Sequence, residues 1–142
     1  ADGGSSRFES VKNGLSLIKE AGLIAVHDGV RPLVDKATID RCFTLAGEKG
    51  TAVPVINLTD SIRRLKGENS EAEVRSDFRL VQTPQVFQSD ILRKAYNQNF
   101  DDKFTDDASV VESIGQKIYL CEGDINNIKI TTPRDLKIAE VL

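Results

Sequence analysis

Acidic and basic side chains stand at the ends of predicted apolar segments, where they could bind a small anion. Asp28 comes directly after His27 and the apolar run 23–26. An aspartate at this place could bind Mg²⁺, which prefers carboxylate oxygens and keeps several waters, or it could simply cap the loop. His27 is the single histidine of the chain, and packing against the strand end is favoured over a role as a catalytic base.

Two cations have similar placements. Arg31 precedes Pro32 in the loop after Asp28, and its guanidinium suits a phosphate or a carboxylate. Lys129 lies between Ile128 and Ile130 in a predicted apolar strand. An ammonium group is costly there unless it reaches a cleft or an acid, so a functional role is favoured for Lys129.

A third cluster, Thr105-Asp106-Asp107, begins a predicted helix. The helix dipole alone favours acids at this end, so capping is the simpler interpretation. The acid at position 28, the lysine and the arginines together predict a site for an anionic small molecule, with Mg²⁺. Phosphoryl or nucleotidyl transfer is favoured, because that chemistry depends mainly on positioning and on charge stabilisation by metal ions and cations.

The elements that position these residues indicate an α/β fold in one domain, residues 1–142. An amphipathic helix precedes strand 23–26, which we expect to be buried on both faces, and a second helix precedes strand 51–56. This order with short connections predicts parallel strands joined by right-handed crossovers. The later predicted elements are an extended segment at 80–87, helices from 89 and 106, strands 117–121 and 127–131, and a last helix from Pro133.

Residues 58–77 interrupt this pattern with a polar β-hairpin that turns at 67–70. A two-stranded ribbon is marginal by itself in water, so we expect it to lean on another surface, with a partner subunit as the natural candidate. Its arginines, Arg63, Arg64 and Arg75, form a solvated face unless the arm packs over a site.

Composition excludes several classes of protein. Hydrophobic residues make up 39% and charged residues 29%, as in a globular domain, and the net charge of −3 disfavours a nucleic-acid binder. No apolar run approaches the roughly 20 residues that cross a bilayer. Cys42 and Cys121 lack metal-ligand spacing and are expected to be buried, reduced thiols, so we expect a cytoplasmic protein.

Five segments match one enzyme family in order and spacing. They are Asp2-Gly3-Gly4 with Arg7 and Ser10-Val11, then VHDGVRP at 26–32, QTPQVF at 82–87, TDDAS at 105–109 and NIKITTP at 127–133. The chain thereby resembles the carboxy-terminal part of the 2-C-methyl-D-erythritol 4-phosphate cytidylyltransferases. The resemblance implies a Rossmann-like nucleotidyltransferase sheet with helices on both faces, and transfer of CMP from CTP to methylerythritol phosphate, with release of pyrophosphate, in non-mevalonate isoprenoid biosynthesis.

The resemblance also implies residue roles. Asp28 belongs near Mg²⁺, the nucleotide and the substrate hydroxyls, Arg31 holds the substrate, and Lys129 contacts phosphate and stabilises the transition state. Gly4 and Ser10 match positions that contact the cytidine, and Thr83 and Thr105 match positions that line the substrate site.

The hairpin resembles the family's dimerisation arm. Ser61 and Arg75 would then reach the site of the neighbouring subunit in a homodimer, with Arg75 joining Lys129 as a catalytic residue. The family usually has threonine where this chain has Ser61, which keeps the hydroxyl.

The family's glycine-rich loop, with its arginine and lysine, has no counterpart in these 142 residues, and the sequence contains no Met. We therefore expect a fragment that is inactive alone and exposes a sheet edge. Two alternatives remain: a ribitol 5-phosphate cytidylyltransferase, which segment 105–112 disfavours, and a non-enzymatic nucleotide-binding or dimerisation module, which the retained Asp28 and Lys129 disfavour.

Overall fold

The computed structural model describes all 142 residues, and helices alternate with strands along much of the chain. The helices are α1 Arg7–Leu17, α2 Lys36–Lys49, α3 Ser89–Tyr96, α4 Asp107–Glu112 and α5 Pro133–Ala139. The strands are β1 Leu23–Val26, β2 Thr51–Asn57, β3 Arg63–Lys66, β4 Asn69–Ala72, β5 Arg79–Val81, β6 Gln85–Gln88 and β7 Leu120–Glu122. None of the helices combines the length and apolar character needed to cross a bilayer.

The central sheet is mostly antiparallel. β6 lies between β1 and β2 and runs antiparallel to both, so β1 and β2 are parallel to each other, as predicted, but do not pair. β5 extends the antiparallel pairing along β2, and only β7 pairs with β2 in parallel. The predicted extended segment at 80–87 is thus two short strands, with a cis Thr83–Pro84 peptide between them.

Helices cover both faces of this sheet, as the two core clusters show. Neighbouring side chains on a strand point to opposite faces. Val86 of β6 packs with Ala52 and with α2 residues, whereas Phe87 packs with Ile24 and with residues of α1, α3 and α4. The mixed α/β class expected from the sequence is therefore confirmed.

β1 forms one end of the sheet and pairs with β6 alone, so its other edge is free. The expectation that residues 23–26 are buried on both faces is wrong, because Ala25 is exposed while Ile24 is buried. Only the face toward α1 and α3 is fully covered here.

β3 and β4 form a separate two-stranded sheet, as the sequence predicted for the hairpin. They are joined at Gly67-Glu68, and Gly67 has a φ of 60°, the left-handed conformation that suits a two-residue turn. No residue of the two strands is buried. Participation of this hairpin in a dimer stays a prediction.

The predicted last strand, 127–131, is wrong. These residues form no strand, and the predicted strand at 117–121 is confined to β7. Lys129 therefore lies in a loop rather than in mid-strand. The apolar residues beside it, Ile128 and Ile130, are only partly buried, and the amide of Ile130 donates to the carbonyl oxygen of Val30 at 2.8 Å.

Candidate active site

Three cations converge on the carboxylate of Asp28, just beyond the end of β1. Its Oδ2 lies 3.3 Å from Lys129 Nζ and 3.5 Å from Arg31 Nε, and its Oδ1 lies 3.6 Å from a terminal nitrogen of Arg7. Burial alone would raise the pKa of Asp28, but Lys129, followed by Arg7 and Arg31, lowers it below its ordinary value. The carboxylate is therefore charged at neutral pH, and positive charge exceeds negative charge around it.

These residues line a cleft with a volume of about 290 Å³. Its lining includes five residues that the sequence analysis assigned to a site, namely Asp28, Arg31, Thr83, Thr105 and Lys129. Segments far apart in the chain meet here, because the β1 end, the β5–β6 connection, the start of α4 and the loop after β7 all face the same space. A cationic cleft of this kind suits a phosphorylated ligand.

His27 and Thr83 fix the loop that carries Asp28 and Arg31. The Asp28 amide donates to Thr83 Oγ1 at 3.0 Å, and Thr83 Oγ1 lies 3.0 Å from His27 Nδ1. His27 Nε2 lies 3.0 Å from the Arg31 carbonyl oxygen, which can only accept, so Nε2 carries the proton. Both ring nitrogens are engaged, which agrees with the structural interpretation of His27.

The sequence analysis missed the pairing of Arg7 with Asp107. The two nitrogens of the guanidinium donate to the two carboxylate oxygens of Asp107 at 3.0 and 2.6 Å, and Tyr96 Oη donates to the same carboxylate at 2.6 Å. Asp107 is fully buried. Burial lowers the pKa of Arg7, but the hydrogen bond and charge of Asp107 raise it further, so the guanidinium stays charged.

Asp106 is the actual cap of α4, because its carboxylate accepts from the Ser109 amide at 2.9 Å. The capping interpretation therefore holds for Asp106 and fails for Asp107. A second acid beside a cap, followed by the apolar run Ala108 to Val111, would have signalled a buried carboxylate that needs a cation.

Gln85 ties α4 to the sheet beside the cleft. Its amide nitrogen donates to Asp106 Oδ2 at 2.8 Å, and its amide oxygen accepts from the Ala108 amide at 2.8 Å. Gln85 is fully buried, so its two hydrogen bonds fix the start of α4 and the position of Thr105 next to it.

Gly4 and Ser10 lie together at the start of α1. The Gly4 amide donates to Ser10 Oγ at 2.9 Å, and Ser10 Oγ donates to the Ser6 carbonyl oxygen at 2.9 Å. Ser10 also lines a groove together with Arg7, His27 and Asp28. The two residues assigned to the nucleotide are thus neighbours of the cationic cleft.

Comparison with known proteins identifies the family. The family model described as 2-C-methyl-D-erythritol 4-phosphate cytidylyltransferase matches residues 1–142. The chain belongs to this family.

Relatives and solved structures agree. The chain is 53% identical to the 2-C-methyl-D-erythritol 4-phosphate cytidylyltransferase of Phocaeicola vulgatus over 142 residues, which are 100% of this chain and 65% of the relative. The enzyme of that name from Bacillus pumilus is 40% identical over 99% of this chain and 63% of its own length. The crystal structure from Thermus thermophilus has a TM-score of 0.88 at 35% identity, covering 99% of this chain and 70% of that one. This cytidylyltransferase chain thus spans about two thirds of its relatives' length.

Two residues assigned by resemblance lie outside the cleft of this cytidylyltransferase chain. Ser61 and Arg75 flank the hairpin, are exposed, and are not among the cleft residues. The Arg75 guanidinium donates to the Thr59 carbonyl oxygen. If they act at a site, it is not the cleft formed by their own chain.

The donor set tests whether the cytidylyltransferase cleft could hold a metal ion. No group of three or more His, Cys, Asp or Glu side chains is arranged to bind one. Asp28 is the free acid of the cleft, since Asp106 caps α4 and Asp107 pairs with Arg7. One carboxylate suits Mg²⁺ only if phosphate oxygens and waters complete the shell, which is the usual arrangement at phosphate-transfer sites.

Replacing Asp28 with asparagine tests the charges of the cleft through pH. The folded pKa of Asp28 is lower than its unfolded value, so its stabilising contribution is fully present above about pH 4 and is lost as pH falls through the folded pKa. We expect Asp28→Asn to lower the free energy of unfolding at pH 7, and the difference from wild type to shrink below about pH 4. Urea unfolding from pH 7 to pH 3 measures this, and a difference that grows on acidification would contradict it.

Proposed function

We propose that the protein carrying this chain transfers CMP from CTP to 2-C-methyl-D-erythritol 4-phosphate and releases pyrophosphate. The observation that supports this most is the meeting of Arg7, Arg31 and Lys129 around Asp28. Three cations and one carboxylate suit a reaction in which two phosphorylated reactants approach each other. The printed names of the relatives give the two reactants.

The reaction is an in-line displacement. A phosphate oxygen of the polyol phosphate attacks the α-phosphorus of CTP, the new oxygen–phosphorus bond forms, and the bond from that phosphorus to the bridging oxygen of the β-phosphate breaks. The bridging oxygen keeps the electron pair and leaves with pyrophosphate. Such a transfer is accelerated mainly by positioning and by cations that stabilise the developing charge.

The cleft residues divide these tasks. Arg31, with a side chain that is 12% exposed and fixed by its loop, holds the phosphate of the polyol. Lys129, with 49% of its side chain exposed, is free to follow the charge on the reacting phosphates. Thr83 and Thr105 line the polyol side of the cleft.

Asp28 has two proposed partners, the substrate hydroxyls and Mg²⁺. With phosphate oxygens completing its shell, Mg²⁺ would lower the negative charge on the α-phosphate that the attacking oxygen must approach. Gly4 and Ser10, next to the same carboxylate, are proposed to contact the cytidine.

Steady-state assays of the complete gene product test this function. Pyrophosphate release from CTP is measured with methylerythritol phosphate and with ribitol 5-phosphate, each with Mg²⁺ and with excess EDTA. We expect faster turnover of methylerythritol phosphate and loss of turnover in EDTA. Faster turnover of ribitol phosphate would assign the sister activity, and no turnover of either would favour a non-enzymatic module. Residues 1–142 alone, predicted to be inactive, serve in the same assay.

We also propose that the hairpin is a dimer arm that completes the partner's cleft. Support comes from the exposure of both its strands, from the large apolar side chains Leu65 and Val74, which are 80% and 64% exposed, and from the place of Ser61 and Arg75 outside their own cleft. A second copy would cover this apolar surface.

Mixed dimers test the arm. Co-expression of an Arg75→Ala chain with a Lys129→Met chain gives heterodimers in which one cleft has both residues intact. We expect each variant alone to be nearly inactive and the mixture to regain about a quarter of wild-type activity, because half of the dimers are mixed and each has one intact site. No recovery in a mixture shown to contain heterodimers would place both residues in the same cleft.

The cytoplasm remains the proposed location. Cys42 and Cys121 are free thiols although their sulfur atoms lie 3.5 Å apart. A reducing compartment keeps such a pair reduced.

A further inference from the structure

Lys129 lies in a segment with little backbone pairing to the rest of the fold. After β7, the Gly123 amide donates to the Val55 carbonyl oxygen at 2.9 Å, and the next backbone bond to another element is that of Ile130 to Val30 at 2.8 Å. Between these two anchors the segment pairs with no strand. Its position therefore depends on side chains that reach it.

Gln82 supplies that support. Its amide nitrogen donates to the Asp124 carbonyl oxygen at 2.8 Å and to the Asn127 carbonyl oxygen at 3.2 Å, and its amide oxygen accepts from the Asp124 amide at 3.1 Å. The side chain pairs with both backbone groups of Asp124, as a neighbouring strand would. Gln82 is only 3% exposed, so water does not compete effectively for these hydrogen bonds.

Gly123 leaves the space that this pairing needs. A Cβ atom at Gly123 would lie 2.3 Å from Gln82 Oε1 and 3.2 Å from the Val55 carbonyl oxygen. Real contacts are not that short, so any larger residue would push the Gln82 amide away from Asp124 while leaving its own chemistry unchanged.

The supported segment is connected to the cleft on its other side. The Asn127 amide nitrogen donates to the Thr83 carbonyl oxygen at 2.9 Å, and the Arg31 guanidinium donates to the Asn127 carbonyl oxygen at 2.7 Å. Asn127 is fully buried and stands two residues before Lys129. Its carbonyl oxygen thus accepts from both Arg31 and Gln82, which fixes the backbone from which the lysine extends.

We propose that Gln82 is a positioning residue that holds the segment of Lys129 against the cleft, so that the ammonium group stays beside Asp28. Gln82 does not donate to the phosphates in this proposal, and it acts through Lys129. The placement itself stands on the geometry alone, while its consequence for catalysis rests on the proposed function.

Hydrogen exchange tests the placement without any substrate. In Gln82→Met, which keeps most of the volume, and in Gly123→Ala, which displaces the amide, we expect amides between 123 and 130 to exchange at least about 10-fold faster. Gln98→Met, which removes an amide with three hydrogen bonds near α3 and α4, and Gly47→Ala, which gains only an ordinary contact in α2, are matched controls. Unchanged exchange at 123–130 in both test variants would overturn the proposal.

A double-mutant cycle in the complete gene product tests the consequence. We expect Gln82→Met to lower kcat/KM by about 10- to 100-fold, since misplacement of a catalytic group by about 1 Å has effects of this size. In the Lys129→Met background the same change should cost less than about threefold, because the lysine that Gln82 positions is gone. An equal loss in both backgrounds would overturn action through Lys129. Inactivity of the wild type on both polyol phosphates would contradict the proposed function, and hydrogen exchange would then decide the placement.

Discussion

Replacing Lys129 with methionine is expected to reduce kcat/KM of the complete gene product for the polyol phosphate by about 100- to 1000-fold. Loss of one preorganised donor that stabilises transition-state charge has an effect of this size. Lys129 Nζ lies 3.3 Å from Asp28 Oδ2 in a cleft of about 290 Å³, so a phosphate that enters the cleft meets the ammonium group at close range. Pyrophosphate release at saturating CTP measures the change.

Methionine keeps the length of the lysine stem and removes its charge, so packing changes little. The matched control is Lys36→Met, because Lys36 also pairs with an aspartate, Asp40, but on the exposed surface of α2. Surface ion pairs contribute little, and this control should keep wild-type kcat/KM. A Lys129 variant that loses less than about threefold would contradict a role in the transition state.

The part of the site that the sequence could predict rests on short-range signals. Asp28 and Arg31 follow a strand within one loop, and polar residues that directly follow an apolar run lie at the end of a sheet. Lys129 was found because a charge between Ile128 and Ile130 is unusual. The alternation was correct evidence for function, although it predicted a strand where the chain forms a loop held by Gln82.

The remainder depends on contacts between distant residues. Whether β6 pairs between β1 and β2 is decided by packing of residues such as Val86 and Phe87 against opposite helix layers, and no local pattern records that choice. Arg7 and Asp107 are 100 residues apart in the chain. Gln82 stands next to a recognised motif residue, yet its role exists only because Gly123 comes within reach.

The ion pair between Arg7 and Asp107 carries the largest expected effect on stability. Replacing Asp107 with asparagine should lower the free energy of unfolding by about 2–3 kcal/mol, measured by urea denaturation at pH 7. Removing one partner of a fully buried pair costs about 3–5 kcal/mol. The value here is smaller because Asp107 is fully buried but 41% of the Arg7 side chain reaches water, which partly solvates the unpaired guanidinium.

Two matched variants separate the charge from the hydrogen bonds. Tyr96→Phe removes only the third hydrogen bond to Asp107 and should lower the free energy of unfolding by about 1 kcal/mol. Asp40→Asn breaks an exposed pair and should change stability little. If Asp107→Asn is no more destabilising than Tyr96→Phe, the guanidinium is not held by this carboxylate. If it is, then Arg7 reaches Asp28 because Asp107 fixes it from behind, and the cleft owes one of its three cations to a residue that no bound phosphate touches.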